Sequence, residues 1–141
     1  MNNSAVIGII ALALSLVGQP LLADSHAMST EEVLNHHLTA FGTGDLEGML
    51  SDYTDESVLI LPDVMMTGPD EMKPAFEAFI AEFSQEGTEF NLTHTNVHNN
   101  VAHIVWTAET PDNSYQFATD TFVIEDGKIL SQTLTMVVVP K

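Results

Sequence analysis

"QFATDTFVIEDGKI", residues 116–129, decides how this chain folds. Branched and aromatic residues run up to Asp126-Gly127, a pair that closes a two-residue hairpin because both positions tolerate positive φ. The segment reads as a strand, "SYQFATDTFVIE", turning into a return strand, "KILSQTLTMVVVP". Alternation puts Gln116, Ala118, Asp120, Phe122 and Ile124 on one face, and Tyr115, Phe117, Thr119, Thr121 and Val123 on the other. Neither face is purely polar, so Asp120 points either to water or into the protein. The return strand offers Leu130, Gln132, Leu134 and Met136 as an apolar face with one amide. The strand before it, "VAHIVWTAET", offers Ala102, Ile104 and Trp106.

Upstream the periodicity changes. "STEEVLNHHLTAFGTGD" opens with Ser29 and Glu32, the spacing of a capping box, and places Val33, Leu34, His37, Leu38 and Phe41 at helical intervals. Gly42 and Gly44 end that helix. Asp45 caps the next, "DLEGMLSDY", with Leu46, Met49, Leu50 and Tyr53 on one stripe. "SVLILP" is a strand stopped by Pro62. Met72, Phe76, Phe79, Ile80 and Phe83 mark a third helix, with Pro74 expected in its first turn, where a missing N–H costs little. From Thr88 onward only strands follow, and Asn99-Asn100 and "PDN" supply the turns. The expected order is α-α-β-β-α-β-β-β-β. It is an α+β fold, a curved antiparallel sheet with three helices on its concave face.

The totals narrow the function. The 141 residues include three lysines, no arginine and 20 acids, for a net charge of −17. Such a surface repels nucleic acid and anionic lipid, and without arginine the chain lacks the usual grip on phosphorylated ligands. An acidic, salt-adapted surface accounts for the charge. Residues 1–23 carry no charge, and the run "AVIGIIALALSLVG" is followed by Pro20 and "LLADSHA". That is the layout of a secretory signal, with cleavage expected after Ala23 or, alternatively, Ala27. The 14-residue run is short for a membrane span of about 20 residues. A periplasmic or secreted location and no membrane span after cleavage are therefore expected, with an uncleaved anchor as the alternative. One domain, residues 29–140, remains. The absence of cysteine excludes disulfides.

The histidines suggest little metal chemistry. His94 and His98 have a helical i, i+4 spacing but lie in a strand, where that spacing separates them by roughly 13 Å. With His103 they share the face expected to point away from the pocket, a solvated or interface face. No metal and no cofactor are expected.

The element order, with "GDLEGMLSDYTDESVLILPD" and "ATDTFVIEDGKI" in their places, resembles the nuclear transport factor 2-like superfamily, which includes SnoaL-like polyketide cyclases and ketosteroid isomerases. The resemblance runs from about Ser29 to Pro140. It implies a cone-shaped α+β barrel with an apolar pocket between helices and sheet, often in a dimer, so a homodimer is expected. Carried over residue by residue, the isomerases' general base falls at Leu61 and is absent; Asp63 lies two residues beyond it. Their oxyanion-binding tyrosine falls at His37, a supporting tyrosine falls at Phe76, and another is kept as Tyr53. Their oxyanion-hole aspartate falls on Asp120, and the cyclases likewise place an acid/base aspartate on a late strand.

The expected pocket is walled by Tyr53, Leu59, Leu61, Phe76, Ala102, Ile104, Trp106, Phe122, Gln132 and Met136. A carboxylate among such residues is costly to ionise, which raises its pKa and suits it to acid/base work. His37 is the second candidate acid/base group, imidazole being able to give or take a proton. Two functions follow. One is a pocket protein that binds a small apolar or weakly polar molecule without catalysis. The alternative is a cofactor-independent isomerase, cyclase or lyase using Asp120 and His37 as its acid/base pair.

Overall fold

The computed structural model describes residues 27–141; the expected signal segment and a cut after Ala23 lie outside the described residues. The elements are α1 (Thr30–Thr43), α2 (Leu46–Ser51), β1 (Tyr53–Leu61), β2 (Val64–Thr67), α3 (Gly68–Phe83), β3 (Glu89–His98), β4 (Val101–Glu109), β5 (Asn113–Glu125) and β6 (Lys128–Pro140). This is the expected order. The six strands form one curved, unclosed sheet in the order β2-β1-β6-β5-β4-β3. One pairing departs from the antiparallel expectation: β1 runs parallel to β6. The chain passes through α3 and the whole β3–β5 meander before β6 returns beside β1, so the sheet is mixed.

Local chemistry sets the helix ends. Ser29 and Glu32 complete the capping box, and Gly44 closes α1 in the left-handed region at φ 70°. Asp45 caps α2 by accepting from the Gly48 N–H at 2.9 Å. The second helix is shorter than its apolar stripe implies, and Tyr53 opens β1 instead of closing α2. The Asp52 carbonyl accepts from the Ile129 N–H at 2.8 Å, which draws the chain out of the helix and against β6. Pro74 lies beyond the first turn of α3, which already begins Gly68-Pro69. The i→i−4 bond to the Asp70 carbonyl is therefore missing inside the helix.

Bulges correct the strict alternation of β5 and β6. Asp126 and Gly127 take φ of 50° and 74°, as the hairpin requires. Ala118, Asp120, Phe122 and Ile124 then face inward as the alternation implies. A register shift between Tyr115 and Phe117 reverses the preceding residues, so Tyr115 is buried and Gln116 is exposed. A second shift leaves Leu130 as an extra residue on β6, with Ile129 buried and Leu130 turned to solvent. An extra residue on one strand bends it and increases its twist. The core between helices and sheet joins Val33, Leu34, Leu59, Met72, Ile104 and Phe122 with their buried neighbours.

Candidate functional site

The inner face of the sheet and the three helices enclose a cavity of ≈ 60 Å³, counted as the space open to the centres of water-sized molecules. Its sheet wall follows from register: Ile104 pairs with Asp120, Asp120 with Leu134, and Phe122 with Gln132. From the helices come His37, Leu38 and Phe41 of α1, Met49 of α2, and Phe76, Phe79 and Phe83 of α3; Trp106 and Phe90 complete it. The rings pack against one another, Phe83 tilted against Phe41 at 5.2 Å and edge to face with Trp106 at 5.8 Å, centroid to centroid. Leu38, Phe41, Phe83 and Phe90 also line an adjacent cavity with Thr88. Thr88 Oγ1 is buried there without a hydrogen-bond partner.

Polar groups meet at the floor. Asp120 is 5 % exposed. One of its oxygens accepts from the Trp106 indole N–H at 2.7 Å, and the other from the Gln132 side-chain amide at 2.7 Å. The Tyr53 hydroxyl donates to the Gln132 carbonyl oxygen, which fixes the amide's orientation. Burial pushes the Asp120 carboxyl above the usual range, against the pull of these two donors and of His37 and His103. Burial, together with the charges of Asp120 and Asp52, also holds the Tyr53 hydroxyl well above the ordinary phenol range.

Behind His37 stands Asp52, 1 % exposed. Its two oxygens lie 2.7 Å from His36 Nδ1 and 3.1 Å from His37 Nδ1. A carboxylate only accepts, so both histidines present Nδ1–H to it. The neutral His37 ring then carries its lone pair on Nε2, 3.5 Å from the Tyr53 oxygen, whose own hydrogen is engaged by Gln132. This orients His37 as a base whose free nitrogen faces the polar floor.

Seven of the residues singled out from sequence line the cavity: His37, Phe76, Ile104, Trp106, Asp120, Phe122 and Gln132. Tyr53 acts from behind through Gln132. Leu59 and Ala102 are buried core residues, while Leu61 and Met136 pack against that core half-buried; none of these four is among the cavity-lining residues. Asp63 is exposed in the β1–β2 turn. Sequence reasoning missed Asp52, because its contacts to His36 and His37 span 16 and 15 residues and leave no local pattern. It also did not assign Phe41, Phe79 and Phe83 to the cavity, although their helical spacing marked them as inward.

The outer histidines make their side-chain hydrogen bonds away from the cavity, although the charge of His103 bears on Asp120. His103 bonds the Thr121 hydroxyl at 3.0 Å, and His94 the Thr93 hydroxyl at 3.3 Å. Among the described residues no three His, Cys, Asp or Glu side chains are grouped so as to hold a metal ion. No described helix is long and apolar enough to cross a membrane.

Comparison with known proteins bears on the fold and the family. The family model of the SnoaL-like domain matches residues 34–132. A nuclear transport factor 2-like protein from Mesorhizobium loti superposes with a TM-score of 0.66 at 21 % identity, covering 81 % of this chain and 95 % of that one. The epoxide hydrolase/cyclase-like enzyme SalBIII, described in pyran ring formation in the polyether salinomycin, gives a TM-score of 0.65 at 13 % identity over 77 % of this chain and 90 % of its own. A putative ketosteroid isomerase from Kribbella flavida gives 0.62 at 13 % identity, covering 77 % of each chain. No curated protein matches the sequence.

Proposed function

Because the chain belongs to the SnoaL-like domain family, we propose that it is a pocket protein binding a small apolar or weakly polar molecule between helices and sheet. One observation carries this reading: a buried Asp120–Gln132–Tyr53 cluster faces a cavity otherwise walled by apolar and aromatic side chains. A ligand pocket has this composition, an apolar wall with a few fixed polar groups that orient what binds. The protein is read as periplasmic or secreted, from the uncharged run at residues 5–18. It is also read as a homodimer, from the exposed apolar side chains of Phe117, Val137 and Val139 on the sheet. Native mass spectrometry of protein purified from its own host tests the ligand and the dimer together. A retained small molecule at one per chain, on a dimer, is expected; ligand-free monomer contradicts both. The mass also reports whether the chain begins after Ala23 or Ala27.

A second reading rests on the Asp52–His37 pair. A buried histidine with Nδ1–H bonded to a carboxylate and its lone pair on Nε2 has the arrangement of a general base. In this reading the protein is a cofactor-independent isomerase, cyclase or lyase. His37 takes a proton from substrate, and Asp120 gives one or orients the accepting oxygen. The test is substrate turnover by wild type against His37→Gln. Loss of at least a hundredfold with unchanged folding supports catalysis, and unchanged turnover excludes His37 as the base.

A further inference from the structure

We infer that the molecule this pocket takes is an organic cation, with its charged nitrogen seated against Asp120; the inference rests on the pocket reading above. Two carboxylates are buried in the domain, Asp52 and Asp120, and only one buried basic side chain, His37, stands near them among the described residues. His37 gives its Nδ1–H to Asp52, and so does His36. Asp120 receives hydrogen bonds from neutral groups only, the Trp106 indole and the Gln132 amide. Buried charges in proteins are paired, and this one lacks a cationic partner in direct contact.

No other described residue supplies one in contact, since His37 and His103 act on Asp120 only at a distance. There is no arginine, and the three lysines are all placed elsewhere. Lys73 pairs with Glu47 on the surface, Lys128 donates to the Ser51 carbonyl, and Lys141 pairs with Glu109. A cation in direct contact with Asp120 therefore has to come from outside; without one, burial favours the protonated acid. The cavity wall suits it, since Phe76, Phe79, Phe83, Phe90 and Trp106 are rings of the kind on which organic ammonium groups rest. A net charge of −17 draws cations and repels anions over long range. The cavity volume is several times the roughly 10–15 Å³ that one water needs on the same measure, so a compact ammonium head fits.

Choline and 3,3-dimethylbutan-1-ol differ in a charged nitrogen against a neutral carbon and otherwise share their shape. Their binding to the full mature chain is measured by titration calorimetry, with indole as a neutral pocket probe. Choline is expected to bind at least tenfold more tightly than its neutral isostere, and Asp120→Asn is expected to erase the difference. Equal binding of choline and isostere, or tighter binding of the isostere, overturns the cation inference and leaves the pocket reading standing. Binding of indole without choline does the same. If none of the three binds, both readings fall. The comparison on wild type decides the question even where the Asp120→Asn variant folds poorly.

Discussion

Trp106 donates its indole N–H to Asp120 across 2.7 Å, joining the chain's one tryptophan to its most deeply placed pocket acid. The two stand on neighbouring strands, β4 and β5, where Ile104 is the direct partner of Asp120. Their bond spans one diagonal step on the same face. The geometry depends on register, and register at Asp120 depends on the Asp126-Gly127 turn and the bulge at Leu130. The function proposed for the pocket therefore traces back to backbone features outside it.

Asp120→Asn is expected to stabilise the empty protein near neutral pH, on the order of 1 kcal/mol. The folded-state pKa of Asp120 is raised by burial, so the native state holds its proton more tightly than the unfolded chain does. Ionised Asp120 thus costs stability above its folded pKa. The cost is relieved as pH falls from there toward the unfolded value of about 3.9. Urea unfolding at several pH values should show this relief in wild type and not in the variant. A variant less stable than wild type at neutral pH contradicts the assignment. The substitution is geometrically mild: the introduced amide accepts from Trp106 through its oxygen and donates to a flipped Gln132, which then donates to Tyr53.

Tyr53→Phe is expected to destabilise by roughly 1–3 kcal/mol, because it leaves the buried Gln132 carbonyl oxygen without its donor. In a Gln132→Leu background, where the oxygen that Tyr53 serves is gone, the cost of Tyr53→Phe should shrink. A double-mutant cycle in urea measures the coupling. Additive costs would mean that the two side chains do not act together.

Asp52→Asn should disturb the histidines before it disturbs the sheet. In wild type both His36 and His37 carry Nδ1–H toward the carboxylate. Nitrogen-15 spectra of the imidazoles should report that tautomer for His37 and lose the preference in the variant. An unchanged tautomer shows that another group sets it.

Glu82 is expected to contribute to acid sensitivity through the hydrogen bonds that its carboxylate accepts. Burial pulls its pKa up, but hydrogen bonds from Asn113, Thr110 and Tyr115 outweigh burial and leave it lowered. Its stabilising contribution is complete above the unfolded value of about 4.3 and is lost as pH falls through the lower folded pKa. Glu82→Gln should melt below wild type at neutral pH, with the gap closing on acidification into that window. A gap independent of pH contradicts the role of the charge.

The helix order, the hairpins and the grouping of Ala118, Asp120, Phe122 and Ile124 on one face were legible because each rests on local pattern: caps, the Asp-Gly turn, period-two alternation; the mixed polarity of both faces left the direction of that face open. What the pattern hid is non-local. The parallel β1–β6 pair joins segments more than 70 residues apart, Tyr53 and Ile129 among them. The bulges that bury Tyr115 and expose Leu130 leave no mark in composition. Asp52 reads as the residue after a short helix, and only the packed fold brings it to His37.

Titration of the Trp106 indole signal, by proton NMR and by fluorescence, tests the pocket most directly, since one tryptophan both lines the cavity and bonds its acid. With choline, and with a small molecule recovered from the native protein, the indole N–H resonance is expected to shift in a saturable way, and to shift less in Asp120→Asn. A ligand that binds the protein while the Trp106 resonance stays fixed would contradict the account.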